Sequence, residues 1–208
     1  MIDRSIAQSV SGADSRFDLV ISPKLGFTTF SPRLFVKYIS KIGIWFEESM
    51  PDSTTNILLQ TSKKYEIGFQ LAFTELVKTK EINQRFNCSI LIDKTGEIIG
   101  KYKKIHLPGH SYHQPWRESQ HLEKLYPDKG DLGFAVFNAF GGKIGMCFCN
   151  YRSWLETYII MGLQEVEIIT LGYNTPVQNQ VHLNPMHWGD YIIRSLCNQV
   201  LIRTAPGF

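Results

Sequence analysis

No apolar run in this chain approaches membrane-spanning length, and Met1 to Ser15 lacks the apolar core of a signal peptide. These two absences predict a cytoplasmic protein with no membrane partner. Charge of one sign is also missing. Its 22 basic and 19 acidic residues give a net charge of +3, too small a surplus to predict a nucleic-acid partner. Lys63-Lys64 and Lys101-Lys103-Lys104 are interrupted by apolar residues and build no basic stripe. Cysteine is sparse. Cys88, Cys147, Cys149 and Cys197 include no C-x-x-C pair, so they suit a reducing compartment and not a disulfide framework. Repeats, low-complexity stretches and linkers are lacking, which predicts a single domain over 1–208. What is present is ordinary for a globular chain: 208 residues, 43% hydrophobic and 20% charged, enough for a sizeable core.

Alternating apolar runs and helical periods predict one α/β domain. Strands are expected at Phe17–Ile21, Ile67–Leu76, Asn87–Asp93 and Ile98–Tyr102, the last entered through Thr95-Gly96. Gly133–Asn138 and Lys143–Phe148 should form a hairpin around Gly141-Gly142, with further strands at Glu167–Leu171 and Val200–Thr204. Helices are expected at Leu34–Glu48, at Thr54–Tyr65 with Ser53 as N-cap, and at Trp116–Leu125, Trp154–Leu163 and Met186–Gln199.

The most informative stretch is Gly145-Met146-Cys147-Phe148-Cys149-Asn150-Tyr151-Arg152-Ser153-Trp154-Leu155-Glu156. Cys149 falls at a strand-to-helix corner, where free N–H groups and the positive helix end favour a thiolate. That position suits a nucleophile, although a buried structural thiol has the same signature. Cys147 lies inside the apolar run and reads as core. A second stretch is Gly100-Lys101-Tyr102-Lys103-Lys104-Ile105-His106-Leu107-Pro108-Gly109-His110. His106, His110 and His113 do not predict a metal site, because Pro108-Gly109 breaks any helix that would align them. No cofactor is implied.

Together these stretches resemble the nitrilase-type carbon–nitrogen hydrolases, most closely the N-carbamoyl-D-amino-acid amidohydrolases. The resemblance runs from about Phe17 to the end of the chain. It implies an αββα sandwich of the nitrilase type, incomplete here, with the family's first strand and helix and its last strands absent. It also implies a homo-oligomer acting on a small N-carbamoyl or amide substrate without metal.

The family's catalytic set is Glu, Lys and Cys in chain order, and Lys104 and Cys149 match the second and third members. The first falls in Ser22-Pro23-Lys24-Leu25-Gly26-Phe27-Thr28-Thr29-Phe30-Ser31-Pro32-Arg33, which resembles Phe-Pro-Glu-Leu-Ala-Leu-Thr-Thr-Phe-Phe-Pro-Arg. Lys24 therefore stands where the family has its general base, and should face Lys104 across the nucleophile with like charges repelling. Glu123 matches a second family glutamate near the lysine, a catalytic candidate that could partly substitute for the missing base, and alternatively reads as a solvated helix residue paired with Lys124 or Arg117.

The resemblance assigns substrate contacts to Asn150, Arg152, His106, His121, Asn174 and Thr175. As bare residues, the histidines fit a structural role and Asn174-Thr175 a plain turn. After its cysteine the carbamoylase branch has Asn-Asp-Arg-Arg-Trp-Pro-Glu. Here Tyr151, Ser153 and Leu155 replace the aspartate, the second arginine and the proline, so one of the two carboxylate-holding forks is lost. Two functions follow: a cysteine-dependent hydrolase of N-carbamoyl compounds, or a non-catalytic relative, even a gene remnant, that binds a small carboxylate or nothing.

Overall fold

The computed structural model describes residues 18–25, 31–117, 120–148, 150–151, 154–173 and 201–206. β1 (Leu19–Ile21) runs parallel to β2 (Gly68–Lys78), which is antiparallel to β3 (Asn83–Ile92), itself antiparallel to β4 (Ile98–Lys103). A second sheet has the order β5 (Val136–Ala139), β6 (Gly142–Phe148), β7 (Ile168–Tyr173), β8 (Leu201–Pro206). β5 and β6 form an antiparallel hairpin, and β6, β7 and β8 run parallel.

Each parallel step needs a crossover. Helix α1 (Ser53–Tyr65) lies on the path from β1 to β2, and α2 (Leu155–Gly162) on the path from β6 to β7.

Strand alternation explains the layers. Phe69, Leu71 and Phe73 of β2 join Cys88, Ile90 and Ile92 of β3 and Leu58 of α1 on one face. The intervening Ala72 and Leu91 turn to the other face, where with Tyr102 they meet Ile144, Met146 and Phe148 of the second sheet. Cys147, of opposite parity to Met146, contacts Met161 of α2 with its sulfur, Sγ to Sδ 3.8 Å. The order of layers is α1, first sheet, second sheet, α2. This is the α/β sandwich expected from the sequence.

Four local expectations need correction. Leu34–Glu48 is not an α-helix; it holds a short 3-10 helix at Ile39–Trp45, with no side-chain cap at Tyr38. Glu47 instead bridges to β2, its N–H donating to Thr74 O (2.7 Å) and its carbonyl accepting from Leu76 N (2.8 Å), which pulls the chain out of helical geometry. Trp116–Leu125 is likewise not helical among its described residues. The Gln120 side chain accepts from Gln114 N (3.0 Å) and donates to the carbonyls of Gln114 (2.7 Å) and Arg117 (3.0 Å), while Leu122 N donates to Pro32 O (2.9 Å). Those backbone groups are spent on distant partners and cannot close helical turns.

The cap of α1 is Asp52 and not Ser53. Thr55 N donates to Asp52 Oδ1 and Asp52 N to Thr55 Oγ1, each at 2.7 Å, a reciprocal capping box. In the β5–β6 hairpin the turn residues are Phe140 and Gly141, both at positive φ, and Gly142 is already opposite Ala139 in the ladder. The expected helix at Met186–Gln199 lies outside the described residues.

Candidate active site

Lys24 follows β1 in a tight turn. Ser22 N donates to Gln70 O (2.9 Å), and Lys24 and Leu25 are both buried, Leu25 at φ 55°. The end of β7 crosses this turn closely. A Cβ on Gly172 would stand 3.0 Å from Ser22 O and 3.3 Å from Lys24 N, so only glycine fits without displacement. Lys104 follows β4, its N–H donating to Asn87 O and its carbonyl accepting from Gly130 N, both at 2.8 Å. Glu123 follows the buried Leu122, whose N–H is the one tied to Pro32. Three separate segments thus carry one charged side chain each inward.

They converge. Lys104 Nζ donates to Glu123 Oε2 at 2.5 Å, and Lys24 Nζ pairs with Glu123 Oε1. Lys24 is 1% exposed, and Lys104 and Glu123 are fully buried. The expected confrontation of Lys24 with Lys104 is therefore corrected: the Glu123 carboxylate stands between them, one oxygen on each ammonium. Nor is Glu123 a solvated helix residue. A buried carboxylate is stable only when paired, and here two cations share the task.

Two histidines lie on the segments that carry Lys104 and Glu123. His121 is half-buried, and burial together with Lys24 and Lys104 lowers its pKa to about 4, so it is neutral at pH 7. Its carbonyl accepts from His110 N (2.7 Å) across Gly109, which holds φ 82° and whose Cβ, if present, would lie 2.1 Å from that carbonyl oxygen. The Pro-Gly-His string is thus read by the backbone of 121. His106 stacks on Trp154, ring centroids 4.9 Å apart, and also touches Phe134 and Tyr151.

Tyr151 is the residue whose part the sequence did not disclose. There it figured only as a replaced aspartate. It is fully buried, and its hydroxyl accepts from Ile105 N (2.5 Å) and His106 N (2.9 Å), directly after Lys104. Burial pushes its phenol up to about 12. The only prior signal was a large aromatic in a normally polar place. Asn150 is half-buried in the turn between β6 and Tyr151. Cys147 is buried, and burial alone raises its thiol pKa well above the usual range, in keeping with a core residue. Cys149, Arg152, Asn174 and Thr175 lie outside the described residues. Among the described residues no group of three or more His, Cys, Asp or Glu is arranged to hold a metal ion. No described helix is long and apolar enough to cross a membrane.

Comparison with known proteins follows the same lines. A carbon-nitrogen hydrolase from Helicobacter pylori G27 superposes with a TM-score of 0.80 at 19% identity, over 99% of this chain and 66% of that one. Beta-ureidopropionase of Arabidopsis thaliana is 28% identical over 127 residues, 60% of this chain and 28% of its own length. Citrullinase of Francisella tularensis is 30% identical over 129 residues, 60% of this chain and 40% of its own length. The match thus spans well under half of either curated relative. The family profile described as carbon-nitrogen hydrolase matches residues 4–195, and the chain belongs to that family.

Proposed function

We propose that this chain carries a nitrilase-type site for a small N-carbamoyl or amide ligand, in which hydrolytic turnover is suppressed. In the intended chemistry the Cys149 thiolate attacks the carbamoyl carbon, and the Lys104 ammonium stabilises the oxyanion that develops. The amine leaves, and water then cleaves the acyl-cysteine. Both steps need a proton acceptor beside the sulfur. The resemblance gives that task to the position of Lys24, which donates where a base must accept, while the two oxygens of Glu123 face the two lysines. The observation that carries the reading is this Lys24–Glu123–Lys104 cluster.

Loss of a general base typically costs about 10²–10⁴ in rate, and here one group would have served two steps. For ligand class, two relatives are named for ureido compounds, beta-ureidopropionase and citrullinase. N-carbamoyl-D-amino acids, the branch suggested by the sequence strings, are the first set to test, with Arg152 holding the ligand carboxylate and Asn150, Asn174, Thr175, His106 and His121 lining the pocket. The test pairs calorimetric titration with ammonia release, using N-carbamoyl-D- and L-amino acids, N-carbamoyl-β-alanine and citrulline. Binding without measurable release is expected. Robust release that disappears in Cys149→Ala would overturn suppression and establish a working hydrolase instead.

A further inference from the structure

We infer that Tyr151 is a positioning residue: its buried hydroxyl fixes the backbone from which the Lys104 ammonium is presented. This rests on the reading of Lys104 and Cys149 as partners at one site, and extends it to a residue outside that set. Three observations support it. The phenol oxygen accepts two consecutive N–H groups, Ile105 at 2.5 Å and His106 at 2.9 Å, so the chain leaving Lys104 is held at two points. The ring has little freedom to move, because Tyr102 (5.9 Å, 72°) and Phe134 (5.5 Å, 88°) meet it edge-on while His106 tilts against it at 5.4 Å. Tyr151 also lies two residues beyond Cys149, so one side chain ties the segment after β6 to the segment after β4.

Lys104 itself is anchored on the other side by Asn87 O and by Gly130 N. Without the phenol, the two part-buried amides would lose their acceptor. The chain would then relax around Ile105, and Lys104 would lose its aim at Glu123. A carboxylate at 151 could accept the same bonds only by adding a negative charge to an aromatic pocket. Tyrosine makes them as a neutral group.

The experiment compares Tyr151→Phe, Lys104→Met and the double variant by the pH profile of Cys149 alkylation with iodoacetamide. Tyr151→Phe is expected to move the profile up by about one pH unit, about tenfold slower labelling at neutral pH, and to add nothing in the Lys104→Met background. A merely structural tyrosine would lower the melting temperature and leave the profile in place. A profile that shifts in Lys104→Met but not in Tyr151→Phe overturns the inference while sparing the proposed site.

If Lys104→Met itself leaves the profile unmoved, the Cys149–Lys104 partnership fails, and hydrogen exchange then decides about Tyr151. Tyr151→Phe must speed exchange at 104–107 selectively over β2 and β3, and uniform acceleration overturns the inference. Should Tyr151→Phe fail to fold, 3-fluorotyrosine at 151 weakens the acceptor while keeping the ring, and the same two readouts apply.

Discussion

Lys24 and Glu123 form an ion pair shut away from solvent, their side chains 1% and 0% exposed, in a pocket where Lys104 holds the other carboxylate oxygen. The buried ammonium of Lys24 thus has the Glu123 carboxylate as its counter-charge.

Reversing that departure should restore chemistry. Lys24→Glu puts a proton acceptor at the base position and leaves Glu123 with Lys104 alone. A gain of about 10² in ammonia release, roughly 2.7 kcal/mol of barrier, is expected over the unmodified chain, with Cys149→Ala as blank. A folded Lys24→Glu variant that stays inert with every N-carbamoyl compound would place the defect elsewhere.

The cluster also predicts an asymmetry in stability. Glu123→Gln removes the one carboxylate between two buried cations and should cost about 3–5 kcal/mol. Lys24→Met leaves Glu123 paired with Lys104 and replaces an ammonium by an apolar group of similar length, so it should change stability by only about 1 kcal/mol. Urea denaturation of the three proteins checks this. Equal losses would mean that Glu123 is not the hub of the cluster.

His121 sets an acid limb. Its folded pKa of about 4 lies below the unfolded value of 6.5, so the unfolded chain takes up the proton first. Its contribution is complete above pH 6.5 and is lost progressively as pH falls towards 4. Allowing for partial exposure, the loss is about 1–2 kcal/mol. Unfolding free energies between pH 7.5 and 4 should fall less steeply in His121→Gln. Parallel curves for the two proteins would refute the assignment.

Thiol mapping separates the cysteines. Cys88 and Cys147 are both fully buried, and burial raises each thiol's pKa, that of Cys88 further through the neighbouring Glu75. Brief iodoacetamide treatment near neutral pH should leave both intact and label Cys149. Early modification of Cys147 or Cys88 in folded protein would count against Cys149 as the nucleophile.

The sequence disclosed features carried by local pattern or by a literal string. β2 and β3 show as apolar runs, and Lys104, Glu123 and Lys24 each stand in a recognisable string, so all three members of the cluster are legible one by one. What it hid depends on bonds between distant residues. Nothing within 34–48 shows that Glu47 pairs with β2, and nothing within 116–125 shows that Gln120 folds back on Gln114. Asp52 and Ser53 are both good caps, and only the reciprocal bond with Thr55 distinguishes them. The pairing of Lys24 with Glu123 has no local signature, because the two residues stand in separate strings although the charge at one decides what the other must do.

The close crossing of Gly172 over Ser22 and Lys24 joins the end of β7 to a turn that belongs, through β1, to the opposite sheet. That makes the site a seam between two independently laddered halves, closed by contacts far apart along the chain. Such contacts come late, after most loop-closure entropy has been lost. While the sheets are formed but undocked, the three charges remain hydrated and contribute little. The cluster then behaves as a latch, weak on the way in and strong on the way out. In stopped-flow urea kinetics, Glu123→Gln should therefore steepen escape from the native state, raising the unfolding rate far more than it slows refolding, and the reverse partition would place the seam early in folding.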